Sequence, residues 1–194
     1  MDKQTKLRDG TSVLIRPLTK EDVDNSFSFF QTLSQNDRNY LRADVTQKRI
    51  IERRIKAMEN GNIYRFIAII NGEIVADGSL ELEENGWKEH VGELRLIVSP
   101  AYQRMGLGML MAHELYIKAV YEKVDEIIVK IMKPQNSALR IFQRMGFKEH
   151  ATFPDYVKDV DGNKHDLIVM RCDLQILWDE LENYFEDSDW QRAR

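Results

Sequence analysis

The sequence predicts an α/β fold of the α+β kind, with helices flanking one mixed, mainly antiparallel sheet of six to seven strands. Three observations carry this. The hydrophobic period switches along the chain between about 3.6 and about 2 residues. Two turn dipeptides, Asn71-Gly72 and Asp161-Gly162, each separate strand-like runs and so specify antiparallel hairpins. Between those hairpins, strand-like and helical runs alternate, which adds parallel pairing.

Taken in order, Ser12–Leu18 (SVLIRPL) reads as the first strand, ended near Pro17. Thr19-Lys-Glu-Asp22 has the Thr-x-x-acid form of a helix start, and Phe27, Phe30 and Leu33 then recur at helical spacing. A second helix spans about Thr46–Glu59, with Ile50, Ile51, Ile55 and Met58 on one side, and stops at Asn60-Gly61. Ile63–Ile70 and Glu73–Glu83 flank Asn71-Gly72 as a hairpin. The fourth strand, about Glu89–Val98, ends at Ser99-Pro100. A glycine-containing loop, Tyr102–Gly108, opens a largely apolar helix to about Glu122. Glu126–Met132 (EIIVKIM) is a short buried strand, Asn136–Met145 a helix closed by Gly146, and Phe147 starts another strand. The final hairpin turns at Asp161-Gly162 into a strand over about His165–Arg171. Leu174, Leu177, Leu181 and Phe185 stripe a last, acidic helix before a polar tail; it packs on the side of the domain or makes a dimer contact. No repeat or low-complexity linker divides the chain, so residues 1–172 read as one domain and 173–194 as an added helix and tail.

The composition narrows the function. At 194 residues, 43% hydrophobic and 31% charged, the chain can bury one core and stay in water. Lys+Arg 28 against Asp+Glu 32 leaves −4, without the basic excess of a nucleic-acid binder. No run approaches the roughly 18 apolar residues of a membrane span, and Met1–Gly10 is polar. With one cysteine, Cys172, this predicts a reduced, cytoplasmic setting. His90, His113, His150 and His165 lack metal-ligand spacing, so no metal is expected.

The informative stretch is Val91–Met111 (VGELRLIVSPAYQRMGLGMLM), where a buried strand runs through a loop into a helix whose start contains Gly106 and Gly108. Unpaired N–H groups at such a start favour an anion, and glycines let a phosphate approach the backbone. A P-loop needs Gly-Lys-Ser/Thr, whereas Met109-Leu110 follows Gly108. A dinucleotide fingerprint needs a third glycine, where Met111 stands.

What remains, Gln103-x-x-Gly106-x-Gly108, resembles the pyrophosphate loop of the GCN5-related N-acetyltransferases (GNAT), whose pattern is Gln/Arg-x-x-Gly-x-Gly/Ala. Further on, Asn136-Ser137-Ala138 to Gly146-Phe147 resembles the family's second motif, an Asn-x-x-Ala helix ending in Gly-Phe. The order of elements is similar to the family's from Ser12 to about Arg171. RPLTKED near the start and the later FFQTLS also resemble the acetyltransferase domain of bacterial protein-lysine acetyltransferases.

The resemblance implies a sheet splayed between the fourth and fifth strands, and transfer of acetyl from acetyl-CoA to a primary amine. It implies that Gln103 and the N–H groups of Arg104, Met105, Gly106, Leu107, Gly108 and Met109 form the pyrophosphate site. The backbone of Ile97, Val98 and Ser99 would pair with the pantetheine arm, and an N–H near Leu96 to Val98 would polarise the thioester carbonyl. Glu93 is the candidate base, directly or through water; the other reading pairs it with Arg95 on the same strand face. In some members the matching glutamate falls on Gly92. Gln135 takes the usual asparagine position, and Asn136, one residue late, either contacts the cofactor or caps its helix.

Where the family commonly has a tyrosine acid, this chain has Phe142, which cannot donate a proton. A thiol of pKa about 8.5 leaves with little help; Tyr156 is the candidate substitute acid, or else a core tyrosine. Cys172 follows a buried strand and reads as core, which favours direct attack in a ternary complex over an acetyl-enzyme. Arg140 and Arg144 share a helix face and meet the cofactor's 3′-phosphate or simply solvent. The acceptor is a small amine, an amino acid or a protein lysine, with Asp44, Glu83, Glu84 and Asp155 either attracting a cationic acceptor or only charging the surface. The rival reading is a non-catalytic acyl-CoA-binding sensor or interaction module. A homodimer through the last helix is the remaining partner expectation.

Overall fold

Strands β1 (Lys3–Lys6), β2 (Ser12–Pro17), β3 (Ile63–Ile70), β4 (Glu73–Leu82), β5 (Val91–Val98), β6 (Glu126–Met132), β7 (Lys148–Lys158) and β8 (Lys164–Asp173) form one sheet. Their order is β1-β2-β3-β4-β5-β6-β8-β7, in a computed structural model that describes residues 2–41, 43–83 and 86–187. All neighbours pair antiparallel except β5 and β6, which are parallel. The helices are α1 (Val23–Thr32), α2 (Gln35–Arg38), α3 (Lys48–Lys56), α4 (Leu107–Tyr121), α5 (Asn136–Arg144) and α6 (Leu174–Asp187).

Local chemistry accounts for most of these boundaries. Asn71 and Gly72 both take positive φ, 51° and 84°, the pair of left-handed residues that a two-residue hairpin requires. Helix α3 runs on into a 3₁₀ turn, Ala57–Asn60, and stops at Gly61 with φ 83°. Before α1, Asp22 accepts from the Thr19 N–H at 2.9 Å and the Thr19 hydroxyl at 3.0 Å. The same carboxylate takes both Arg16 Nη atoms at 2.7 Å, which pins the helix entrance to β2.

Two elements differ from expectation. Strand β1 brings the sheet to eight strands; its Lys-Gln-Thr-Lys is a polar edge, without the apolar alternation that marks a strand. Short α2 is too brief for any periodicity and is set by Ser34, whose hydroxyl accepts from the Asp37 N–H at 3.1 Å.

Alternation along the strands assigns the two sheet faces. Ala76, Gly78 and Leu80 turn to α4, where a Cβ on Gly78 would stand 3.0 Å from Leu115 and 3.3 Å from Met111. Asp77, Ser79 and Glu81 turn the other way, toward α1 and α3. Leu177 and Leu181 of α6 are fully buried in the core on the α4 side, and Trp178 stacks on Tyr116 at 5.2 Å. Residues 188–194 and Glu84 lie outside the described residues. Among the described residues, no helix is long and apolar enough to cross a membrane.

The site depends on one feature of the sheet. Strand β5 pairs with β6 at only three positions, Val91↔Glu126, Gly92↔Ile127 and Glu93↔Ile128, and the two strands then part. The expected splay lies here, between the fourth and fifth strands when β1 is left uncounted.

Asp22→Asn is expected to lower stability by about 1–3 kcal/mol at neutral pH, read as a fall in Tm. The Arg16 hydrogen bonds hold the Asp22 carboxyl below its ordinary value. Its stabilisation is therefore complete above the unfolded-state value of about 3.9 and is lost as pH falls through the lower folded value. The Tm gap between variant and parent should close in strong acid; a constant gap would assign the effect to packing.

Candidate functional site

The phase of β5 decides which of its backbone groups face the fork. The Ser99 N–H donates to Val75 O at 2.8 Å, in line with the pairing Ala76↔Val98. In an antiparallel ladder, every second residue bonds its direct partner. Ser99, Ile97, Arg95 and Glu93 therefore turn their N–H and C=O groups to β4. Leu94, Leu96 and Val98 turn theirs toward β6, and beyond Glu93↔Ile128 that side is open. Of the expected trio, Val98 alone presents its backbone to the gap; Leu96 joins it, and Ile97 and Ser99 are engaged in the sheet. The Val98 carbonyl accepts from Gln103 Nε2 at 3.1 Å, so the motif glutamine folds back onto the strand end.

From Val98 the chain passes through a 3₁₀ turn, Pro100–Tyr102, into the glycine loop. Arg104 takes φ 64° and Gly106 φ 88°, and α4 begins immediately. Among the described residues, no backbone acceptor meets the N–H groups of Arg104, Met105, Gly106, Leu107 or Gly108. They form a donor cluster at a helix start, the arrangement that holds an anion. The Met109 N–H differs, since it donates to Gly106 O at 3.1 Å. Gly106 is required twice over: its φ is left-handed, and a Cβ there would stand 3.1 Å from Tyr184 Oη and 3.6 Å from Arg8 Cγ. Arg8 thus lies beside the loop, with its N–H on Met105 O at 3.2 Å and its guanidinium 4.6 Å over the Tyr184 ring. It is a cation that the polar opening of the sequence gave no reason to single out.

The fork opens into a cavity of about 350 Å³ that reaches through the sheet to the underside of α1 and α3. Leu94, Leu96, Val129, Ile131, Ala138 and Phe142 supply apolar wall. Arg54, Arg65, Asp77, Glu81, Arg95 and Lys130 supply charge. These charges are paired in a chain. Asp77 Oδ1 takes Arg65 at 2.8 Å and Arg54 at 3.3 Å, Arg95 binds Glu81 at 2.7 Å, and Lys130 binds Glu93 at 2.6 Å. Asp77 is 4% exposed and Arg65 5%, an uncommon depth for charged residues. No local motif marks them, because the network is assembled from α3, β3, β4, β5 and β6.

Glu93 stands at the fork, on the last paired position of β5, held by Lys130 and, at 3.3 Å, by Arg95. The pairing with Arg95 is present. Glu93 does not itself line the cavity, whereas both of its partners do. Tyr156 is 68% exposed on β7, its ring tilted against Phe153 at 5.3 Å, and is neither core nor cavity wall. Phe142 is buried on α5, T-shaped against Phe147 at 5.2 Å. Asn136 is exposed and makes no cap; Gln135 occupies the N-cap position and its Oε1 accepts the Met132 N–H at 3.0 Å. Arg140 and Arg144 lie on the exposed face of α5. Asp44, Glu83 and Asp155 are exposed and outside the cavity wall, with Glu83 paired to Lys88 at 2.8 Å.

Cys172 sits in the core with Sγ 3.6 Å from Met145 O. Burial, reinforced by the Asp173 carboxylate, pushes its thiol up to about 12. Among the described residues, no group of three His, Cys, Asp or Glu side chains is placed to hold a metal.

Comparison with known proteins agrees with this geometry. Residues 27–147, more than half of the chain, match the family model described as the Acetyltransferase (GNAT) family. No curated protein sequence matches the chain. Among solved structures, the GNAT domain of S. lividans PAT is 18% identical with a TM-score of 0.74, covering 89% of this chain and 96% of that one. The ribosomal-protein-S5-alanine acetyltransferase of Vibrio fischeri is 11% identical with a TM-score of 0.73, over 89% of this chain and 96% of its own. A Salmonella typhimurium protein solved with its cofactor acetyl-CoA is 18% identical with a TM-score of 0.69, over 89% and 94% of the two chains. At these identities the likeness is one of fold.

The buried thiol gives a direct test of mechanism. Iodoacetamide at pH 8 should alkylate Cys172 in the folded protein at least about 100-fold more slowly than in denaturant, followed by mass spectrometry. Rapid labelling of the folded protein would return a thiol nucleophile to consideration.

Proposed function

We propose, from the premise that the chain belongs to the GNAT acetyltransferase family, that it transfers acetyl from acetyl-CoA to a primary amine by direct attack within a ternary complex. The observation that carries this reading is the fork. Strand β5 leaves β6 after Glu93↔Ile128 and leads, with one backbone edge open, straight into the free N–H groups of the Gly106 loop. An extended arm ending in a pyrophosphate fits that surface: a strand edge takes the arm, and a helix start without a Cβ at Gly106 takes the anion.

The residues then divide the work. The N–H groups of Arg104 to Gly108 hold the phosphates, with Arg8 as the neighbouring cation. Leu96 and Val98 offer backbone to the arm, and the N–H left over polarises a carbonyl lying in the gap. Acetyl-CoA, when bound, supplies an activated acetyl group and a thiolate leaving group. That thiolate asks little of an acid, which agrees with Phe142 and with an exposed Tyr156. A lysine-like amine of pKa about 10.4 is neutral in only about one molecule in 2,500 at pH 7, so a carboxylate must draw off its proton. Glu93 takes that role through water, positioned by Lys130 and Arg95. Residues 1–172 carry the chemistry in the cytoplasm, with α6 buttressing the loop through Tyr184. A protein amine, as named for the Vibrio fischeri neighbour, lies within the acceptor class, and a homodimer is compatible with it.

Phe142 favours the second reading, a binding module that takes up acetyl-CoA without turnover. Calorimetric titration with acetyl-CoA tests the first part. Micromolar binding is expected, lost by at least about tenfold in Gly106→Trp and weakened in a salt-dependent manner in Arg8→Ala. Thiol release with an amine panel tests the second. Glu93→Gln should lower kcat by about 10²–10⁴-fold while keeping acetyl-CoA affinity. Binding with no release above background from any amine would select the module; no binding would remove both.

A further inference from the structure

We infer that Arg8, held on the ring of Tyr184, selects the donor at the cofactor site. It takes a phosphate beyond the one joined to the pantetheine arm, and so favours free acetyl-CoA over a thioester whose arm ends in a single phosphate, as on a carrier protein. This rests on the transferase reading above and concerns the far end of its donor.

Arg8 is a cation fixed in place without a counter-charge. It sits in the tight turn between β1 and β2, closed by the Leu7 N–H on Thr11 O at 2.8 Å and the Gly10 N–H on Leu7 O at 3.0 Å. Leu7 is 1% exposed and anchors the turn in the core, and the Arg8 N–H ties it to Met105 O in the glycine loop. The adjoining acid, Asp9, is committed to Thr11: its carboxylate accepts the Thr11 N–H at 3.0 Å and the Thr11 hydroxyl at 2.8 Å. Among the described residues, the Arg8 guanidinium makes no ion pair; it lies 4.6 Å over the Tyr184 ring. Such a contact orders a long side chain without neutralising it. Burial pushes the Tyr184 phenol up, so the ring beneath the cation is itself uncharged at neutral pH. An ordered arginine with its charge unmet suits a phosphate, which accepts two parallel N–H bonds from a guanidinium.

The two loop glycines show which phosphate it meets. A Cβ on Gly108 would stand 3.8 Å from Leu96 Cδ2 and 3.9 Å from Val98 Cγ2, so Gly108 abuts the strand that takes the arm. A Cβ on Gly106 would instead stand 3.1 Å from Tyr184 Oη, 3.6 Å from Arg8 Cγ and 3.8 Å from Arg8 Nε. The loop therefore has the strand on one side and Arg8 on the other, with the N–H groups of Arg104 to Gly108 between them. A phosphate joined directly to the arm meets those N–H groups first, and only a longer anion reaches Arg8. Coenzyme A offers two such phosphates, the outer one of its pyrophosphate and the 3′-phosphate. A carrier-bound arm offers neither. Arg8 and Tyr184 both fall outside residues 27–147, the stretch that matches the family model, so neither belongs to the matched loop motif.

Truncated donors test the inference. Calorimetry gives Kd for acetyl-CoA, acetyl-dephospho-CoA and acetyl-4′-phosphopantetheine with the parent, Arg8→Met and Arg8→Lys. The parent should bind acetyl-CoA at least about tenfold more tightly than acetyl-4′-phosphopantetheine. Arg8→Met keeps the stem and loses the charge. It should weaken acetyl-CoA by about 10- to 100-fold and acetyl-4′-phosphopantetheine by less than about twofold, with Arg8→Lys between the two. A loss that persists with acetyl-dephospho-CoA puts Arg8 on the outer pyrophosphate phosphate, and a loss that vanishes puts it on the 3′-phosphate; both uphold the selection. Tyr184→Leu should weaken acetyl-CoA binding by the parent but add little in the Arg8→Met background, as expected of a positioning residue that acts through Arg8. An Arg8→Met loss equal for all three donors would overturn the inference, as would a parent that binds acetyl-4′-phosphopantetheine as tightly as acetyl-CoA. Because Kd is read without turnover, selective binding with no thiol release would break the transferase reading and leave the role of Arg8 standing. No binding of acetyl-CoA would remove both.

Discussion

The structure turns on a parallel pairing that stops early. Parallel strands joined by a helix crossover ordinarily bond along their shared length. Here β5 and β6 bond at three positions and then separate, which leaves the Leu94 carbonyl and the backbone groups of Leu96 and Val98 directed into a gap. Unpaired backbone inside a fold is unfavourable unless water or a ligand meets it. The fork therefore creates a demand for hydrogen bonds along the line that leads to the Gly106 loop. Everything distinctive about the chain's chemistry is arranged around that line.

What holds the fork open is packing on one face and charge on the other. Alternation sends Leu94, Leu96, Val129 and Ile131 toward the side of α4, where Phe142 closes the wall from α5. It sends Glu93, Arg95 and Lys130 to the face covered by α1 and α3, where Asp77, Arg65 and Arg54 continue the row. Removing one member of such a buried network leaves its partner charged and unmatched, at a cost of about 3–5 kcal/mol. A network of this kind is a weak source of stability, and its position in the wall of a cavity agrees better with recognition than with folding.

Much of the fold was legible because its signals are local. Gly61 and Asn71-Gly72 declare left-handed turns by residue type alone, Thr19 and Asp22 declare a helix entrance, and Gly106 declares a helix start that tolerates no side chain. What was hidden is what needs a third dimension. Strand β1 is four polar residues whose role is to edge β2. The identity of the gap-facing residues depends on the phase of one ladder, set by the Ser99 to Val75 bond, and no property of Ile97, Val98 or Ser99 reveals it. No local pattern in the sequence singles out Arg54, Arg65 and Asp77. Only the sheet order brings them together, and only the cover of α1 and α3 removes them from water.

The division of the cavity into an apolar and a charged half also bears on the missing acid. A phenylalanine in the place of a proton donor costs a transferase little if the leaving group needs no proton and the surroundings stay dry. Phe142 adds no proton donor to that half, whose wall carries the Gln135 amide as its polar group among Leu94, Leu96, Val129, Ile131 and Ala138. Among the described residues, the charged groups of the cavity wall lie in the opposite half. Tyr156, exposed on β7, belongs to neither half. On this division the phenylalanine belongs to the same arrangement as the buried aspartate and arginines: one wall of the cavity is largely apolar, and the other carries its charge.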